Sequence, residues 1–343
     1  ILTVSISTSS AQELFQRVYG GESYDYGTAV IQTPDDGFLI AGGSGSYDEG
    51  FSAQVLIMKT DKNGYLEWEK THGGTYADQA ESMNLTTDGN LIVGGFTEVV
   101  GKSYQAYALK LNMNGDTIWT RSYGGDQWEF CREVVSLPDG GFALFGQTHS
   151  YGAGEGDFYL IRTDANGDTL WTKTYGGPAF DSGESIAPTL DGGFFLAGYT
   201  ESFGAGGKDM YVVRTDAFGD TVWTKTFGGP EDDFCYGIAA TDDDGYVIAG
   251  GTFNNTPGKS DYIVIRDGGL QQWVRHDPHS GDNYWLDVMV EPIGNITAVG
   301  YFTEGGEGQD DARIIRIGAE GTWNGVARGY GSHDNDRAYD VKL

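Results

Sequence analysis

Short apolar runs alternate with glycine-rich turns along the whole chain, and no stretch carries an apolar stripe at the 3.6-residue period of a helix. Between residues 181 and 229 the pattern resolves into four expected strands. The first is Glu184 to Thr189, which Asp191-Gly192-Gly193 turns into the second, Phe194 to Thr200. A longer loop, Glu201 to Lys208, leads to the third strand, Met210 to Thr215; Asp216-Ala217-Phe218-Gly219 then turns into the fourth, Thr221 to Phe227. Asp-Gly and Asn-Gly pairs mark tight hairpin turns that need φ above zero. Phe-Phe-Leu-Ala (194 to 197) and Tyr-Val-Val (211 to 213) are nearly continuous apolar runs, so the two middle strands are expected to be buried on both faces.

The same phrase returns along the chain. Thr163 to Gly177 and Thr215 to Gly229 are close copies, with weaker ones at Asp61 to Gly74 and Asn112 to Gly125. Trp68, Trp119, Trp171, Trp223, Trp273 and Trp323 recur every 50 to 52 residues. So do Gly42, Gly94, Gly146, Gly198, Gly250 and Gly300, about half a repeat away. Four antiparallel strands per repeat of this length predict an all-β fold, a β-propeller of four-stranded blades. The strand-four tryptophan is expected to fill the gap between blades, and the strand-two glycine to let neighbouring blades approach.

Complete units run 25–74, 78–125, 129–177, 181–229, 233–280 and 283–331, inside a single propeller spanning 12–343. Leu14 to Gly21 reads as an unmatched fourth strand and Asp336 to Leu343 as an unmatched first strand. The expectation is seven blades with the last incomplete (14–21 plus 336–343), the natural chain continuing for about forty residues of the same phrase.

A net charge of −29 repels phosphate backbones and anionic lipid, which argues against nucleic-acid binding. No apolar run approaches the ~18 residues of a membrane span. The chain opens on apolar, β-branched residues followed by Ser9-Ser10-Ala11 and Gln12. Small residues three before and one before a cut suit signal peptidase, so 1–11 reads as a signal-peptide remnant of a secreted, periplasmic or cell-surface protein. Cys131 and Cys235 fill the same slot two repeats apart, which predicts two free thiols and no disulfide.

The sharpest candidate chemistry is an acid near the start of strand one in every unit: Asp25, Asp78, Glu129, Asp181, Asp233 and Asp336, with Asn283 the sole amide. If that strand lines the axis, the acids form a ring at one channel mouth that could bind Ca²⁺ or another hard cation; no other cofactor is expected. Alternatively, each caps its own glycine-rich turn. The Asp-x-Asn-Gly-Asp turns resemble Ca²⁺ loops in composition but lack the full ligand order, and read as hairpins. Tyr24, Tyr26, Tyr76, Trp128, Phe130, Phe180, Phe234, Tyr284 and Trp285 cluster after the Gly-Gly exits. Beside carboxylates they suit a sugar-binding face, but the favoured reading is the packing of first strands on one another. The five histidines share no slot, and neither a Gly-x-Ser-x-Gly elbow nor a phosphate-cradling loop is present.

Tyr175-Gly176-Gly177, Asp181, Gly193-Phe194, Gly198-Tyr199-Thr200 and Asp209-Met210-Tyr211 resemble the unit of the seven-bladed β-propeller repeat group of secreted bacterial proteins. The resemblance covers residues 14 to 343. It implies the propeller fold and export, often within a larger surface-anchored chain. Asp164, Gly167 and Trp171, with Asp216, Gly219 and Trp223, also resemble the pyrroloquinoline-quinone-type repeat, where the motif docks blades; no adjacent cysteine pair accompanies them.

The expected function is a non-catalytic structural or binding module, monomeric within a larger chain, meeting an extracellular protein or glycan through loops at one face. The alternative is a carbohydrate-active or quinone-dependent enzyme built where the repeat breaks, at Arg275, His276, His279, Asp282, Trp285 and Asp287.

Overall fold

The computed structural model describes residues 17–46, 53–74, 76–256, 259–268, 272–277, 283–303, 310–330 and 337–342; the side chains of 254–256, 259–263, 276–277 and 323–330 are not described. The signal-peptide reading (1–11) and Asp336 therefore lie outside the described residues. The fold is a β-propeller, and the described residues form six four-stranded antiparallel blades. Blade 1 holds β1 (Asp25–Gln32), β2 (Phe38–Ser44), β3 (Gln54–Thr60) and β4 (Leu66–His72); blade 2 holds β5 (Asp78–Leu85), β6 (Leu91–Glu98), β7 (Tyr104–Leu111) and β8 (Thr117–Tyr123). Blade 3 holds β9 (Glu129–Ser136), β10 (Phe142–Thr148), β11 (Asp157–Thr163) and β12 (Thr169–Tyr175); blade 4 holds β13 (Asp181–Pro188), β14 (Phe194–Thr200), β15 (Asp209–Thr215) and β16 (Thr221–Phe227). Blade 5 holds β17 (Asp233–Ala240), β18 (Gly245–Thr256), β19 (Lys259–Gly268) and β20 (Trp273–Asp277); blade 6 holds β21 (Asn283–Val290), β22 (Ile296–Thr303), β23 (Asp310–Ile317) and β24 (Trp323–Tyr330). Residues 17–21 and 337–342, the described parts of the two flanking fragments, lie in no strand.

Two compact units divide the chain. One takes the described residues up to Leu144 with Arg162–Leu170 and Lys342; the other takes Phe145–Ile161 with Trp171–Val341. In the first, β1 packs on β5 and β5 on β9; in the second, β13 packs on β17 and β17 on β21. First strands of successive blades thus converge within each unit. The middle strands are buried along their whole length, as in β2, β3 and β15, because a blade has neighbours on both faces. Fourth strands such as β4 and β16 are largely exposed. Between blades 1 and 2, Leu39 and Val55 meet Met83 and Val93; between blades 4 and 5, Phe195 and Val212 meet Ile238 and Tyr246.

The first strands of blades 1, 2, 4, 5 and 6 carry a β-bulge at their fourth residue, and this corrects the expected role of the strand-two glycine. In blade 4 the register breaks between Gly183 and Ser185. A Cβ on Gly198, opposite, would stand 1.9 Å from the Ser182 carbonyl oxygen of the same blade. The glycine makes room for the bulge of its own sheet. Gly42, Gly250 and Gly300 do the same against Tyr26, Phe234 and Tyr284. In blade 2 the residue in this slot is Gly95, paired with Ala80. Gly94, one residue earlier, is the exception that faces the next blade, where a Cβ would meet Cys131 Sγ at 2.8 Å.

The tryptophans do dock blades. A Cβ on Gly115, Gly167 or Gly219, at the turn between strands three and four, would lie 2.8 to 2.9 Å from the indole of Trp68, Trp119 or Trp171 of the preceding blade. Trp273 meets Gly321 likewise, and Trp223 packs on Phe195 and Tyr246. These glycines have φ of 76° to 78°, whereas Asn166 and Phe218 beside them do not take positive φ. The turns are therefore right-handed turns closed by a left-handed glycine, and the register shift at Arg214/Thr215 is the accompanying bulge. Asp164 Oδ1 accepts the Asn166 and Asp168 backbone N–H groups, at 2.8 and 2.9 Å, so this carboxylate serves the hairpin.

Candidate binding face

The exits from each fourth strand, the starts of the first strands and the loops between strands two and three come together at one end of each blade. Here the repeated acids are buried. Asp78, Glu129, Asp181, Asp233 and Asn283 have almost no exposure, while Asp25 is half-buried. Each acid accepts the backbone N–H of the glycine four residues earlier: Gly21 to Asp25 at 2.8 Å, Gly74 to Asp78 at 2.7 Å, Gly125 to Glu129 at 3.0 Å, Gly177 to Asp181 at 2.8 Å and Gly229 to Asp233 at 2.9 Å. The capping geometry explains the Gly-Gly exits. A Cβ on the first glycine would collide with the carboxylate, at 2.4 Å from Asp78 Oδ2 for Gly73 and 2.6 Å from Asp181 Oδ2 for Gly176.

Serines and loop amides complete the caps. Ser202 Oγ donates to Asp181 at 2.8 Å, and Ser46 Oγ to Asp25 at 2.6 Å. Asp157 and Asp209, at the starts of β11 and β15, each accept two backbone N–H groups of the preceding glycine-rich loop: Ala153 and Gly154 for one, Ala205 and Gly206 for the other. Burial pushes the Asp157 carboxyl up, the loop amides pull it down, and the charge of Asp181 raises it again.

Over this buried polar layer lies an aromatic tract. In the second unit it runs from His149 through Phe180, Tyr199, Phe234 and Tyr284 to Tyr301, with successive ring centroids 5.2 to 6.3 Å apart. Tyr236, on the bulge of β17, stacks on Phe234 at 6.0 Å. Lys208 Nζ sits 5.1 Å from the Tyr199 ring and 5.3 Å from that of Phe234, and Arg337 lies 4.3 Å over Tyr301. The rings are half-buried, and desolvation raises the hydroxyls of Tyr236 and Tyr301, which keeps them neutral. The first unit carries a shorter tract of Phe96, Tyr104 and Phe130, with Arg132 5.4 Å over Phe130.

Of the aromatic positions marked in the sequence, Trp128 is 51% exposed and Tyr24 72%. Trp285 is not on this face. It is 1% exposed and packs with Val264, Val288 and Ile296, because it occupies the inward slot that Cys131 and Cys235 fill in other blades. Both cysteines are buried and free. Where the repeat breaks, Arg275 reaches the Gly321 carbonyl at 3.5 Å and Asp287 Oδ2 accepts the Val341 N–H at 2.9 Å. His279 and Asp282 lie outside the described residues, as does the His276 side chain.

Two repeated features were not picked out from the sequence. A cation near the end of each third strand pairs with an acid of the turn between strands one and two: Lys59 with Asp35 at 3.0 Å, Lys110 with Asp88 at 2.8 Å, Arg214 with Asp191 at 2.6 Å and Arg266 with Asp243 at 2.8 Å. Arg162 with Asp139 and Arg316 with Glu291 complete the series. Hydrogen bonds from Thr189 and Arg214 hold Asp191 down to about 2. The signal was present as Lys or Arg every 50 to 52 residues. The second feature is the acid or glutamine at the start of the third strands, as Gln54, Gln105, Asp157 and Asp209. A cleft of about 510 Å³ also opens at the junction of blades 1 and 2, lined by His72, Asp78, Tyr107 and Thr117 among others.

No family model matches the chain. Over 141 residues it is 28% identical to the regulatory protein FlaEY of Caulobacter vibrioides, and the match spans 36% of this chain and 15% of that protein. Sqt1 of Chaetomium thermophilum, solved bound to the N-terminus of the ribosomal protein L10, aligns with a TM-score of 0.51 at 16% identity, over 92% of this chain and 77% of that one. Sqt1 of Saccharomyces cerevisiae gives 0.51 at 12% identity, over 93% and 74%. At these identities the likeness is one of fold.

Proposed function

We propose that the chain is an exported, non-catalytic binding propeller whose ligand, a glycan or a segment of an extracellular protein, rests on the aromatic tract at the first-strand starts. The observation that carries the reading is the run Phe180, Tyr199, Phe234, Tyr284 and Tyr301, half-buried and interleaved with Lys208 and Arg337. Interior packing alone does not call for cations over half-exposed rings, whereas a sugar face or a peptide side chain gains from both. The fold of Sqt1, solved with a bound protein segment, supports the class of function and says nothing of the partner.

The enzyme alternative receives no support from its described residues. Trp285 is core, and Arg275 and Asp287 are engaged with backbone. Screening the chain on a glycan array and against a displayed peptide library tests the proposal. Binding that is lost in Phe234→Ala and Tyr199→Ala with folding intact supports it; ligands that ignore both substitutions, or no ligand on either platform, overturn it. Export is tested by the N-terminal mass of the mature protein in its source cell, which should begin near Gln12.

A further inference from the structure

In three places a tyrosine just before the Gly-Gly exit closes on the blade that follows. Tyr19, Tyr123 and Tyr175 donate their hydroxyls to the carbonyls of the turn glycines Gly64, Gly167 and Gly219, at 2.6 to 2.7 Å. At the junction of blades 1 and 2 the same slot holds His72. Its Nδ1 meets the Thr117 hydroxyl at 3.2 Å, and its Nε2 is buried without a hydrogen-bond partner. The bond to the Gly115 carbonyl is therefore not made. The cleft of about 510 Å³ opens at this point, wholly inside the first compact unit and in the size range of small-ligand pockets.

The lining selects a class of ligand. Thr71, Thr97, Thr117 and Thr120 each bring a hydroxyl that can donate and accept. At one end a Cβ on Gly73 would stand 2.4 Å from both Gln54 Oε1 and Asp78 Oδ2, two acceptors. Burial, then the charge of Lys70, lowers the His72 imidazole, so the ring is neutral at pH 7. Among the described residues Asp78 is then the one charged group of the lining, and it already accepts the Gly74 N–H at 2.7 Å. An anion would meet that carboxylate with no counter-charge, because Lys70 is engaged with Asp116 at 2.6 Å. An apolar molecule would leave the hydroxyls without partners.

We infer that the cleft between blades 1 and 2 is a binding site for a neutral sugar ring, separate from the aromatic tract. The threonines exchange hydrogen bonds with the sugar hydroxyls, which also donate to the Gln54 and Asp78 acceptors. The ring takes the space that a tyrosine closes at the next two junctions. The site does not depend on the tract, since Tyr199 and Phe234 belong to the second unit.

Saturation-transfer NMR titrations of the chain with glucose, galactose, mannose and fucose should show saturable binding of at least one of them. Glucuronate should bind about tenfold more weakly than that sugar. His72→Tyr places in the slot the residue used at the other three places, so it should fold, keep its thermal midpoint and abolish the binding. Thr117→Val should weaken binding about tenfold. No saturable binding of any of the four sugars overturns the inference, as does a preference for glucuronate or for the cationic glucosamine. A sugar whose binding survives His72→Tyr and is lost in Phe234→Ala sits on the tract; that result overturns this inference and leaves the proposed function standing.

Discussion

The junction of blades 1 and 2 and that of blades 3 and 4 use the same slots and fill them differently. In both, a fourth-strand tryptophan covers the turn glycine of the next blade, Trp68 over Gly115 and Trp171 over Gly219. Past it, Tyr175 spans the second junction and donates its hydroxyl to the Gly219 carbonyl at 2.6 Å, as Tyr123 does to Gly167 at 2.7 Å. The first junction has His72 there, whose Nδ1 reaches only the Thr117 hydroxyl at 3.2 Å, and the cleft opens beside it. At the inner end one junction closes with a neutral amide and the other with a second acid. Docking is thus a shared apolar frame with interchangeable polar fillings, and changes in the filling create clefts and charged sites without altering the fold.

The frame should be the most sensitive part. Gly219→Ala and Gly115→Ala each add a Cβ 2.8 Å from an indole at positive φ, and each should cost about 3 kcal/mol in denaturant unfolding. A large difference between the two would show that the frame is not shared. Exchanging the fillings should have a smaller effect. Tyr175→His removes a buried hydroxyl donor and ring packing, a loss of about 2 kcal/mol, while His72→Tyr should fill the cleft and add about 1 kcal/mol.

The exchange also has a pH signature. Burial, then the charge of Lys70, lowers the His72 imidazole below its ordinary 6.5, with Asp116 opposing. The unfolded chain therefore binds the proton more readily. The stability tied to the neutral ring is complete above about 6.5 and is lost as pH falls through the lower folded value. Unfolding curves of His72→Tyr across that range should lack this loss; an unchanged acid profile would remove His72 as its source.

Smallest is the turn between the first two strands, where blade 4 has Gly192 at φ 85° and blade 1 has Asp36 at φ 64°. Asp36→Gly should stabilise by up to about 1 kcal/mol in the same assay, since an L side chain in the left-handed region is strained. Destabilisation would show that the Asp36 side chain is itself needed.

Repetition made most of the fold readable, because a slot that returns every 50 to 52 residues is seen several times over. The strand runs from Phe194 to Thr200 and from Thr221 to Phe227 match β14 and β16, whereas β13 begins at the capping Asp181 itself. Period alone could not separate Gly94 from Gly95; only the bulge opposite Ala80 distinguishes them. Trp285 was grouped with the aromatic face because Tyr284 beside it, like Phe130 in the same slot of blade 3, alternates with inward positions, and one residue of phase decides the side. The capping acids were legible as a set, yet their partners were not. Asp157 and Asp209 lie 24 residues before Asp181 and Asp233, and a contact across blades leaves no local trace.

The shared frame is tested most directly by the unfolding free energies of Trp68→Ala and Trp171→Ala, whose indoles cover Gly115 and Gly219. The account predicts a loss of about 3 kcal/mol in each. A loss in one variant and none in the other would contradict it.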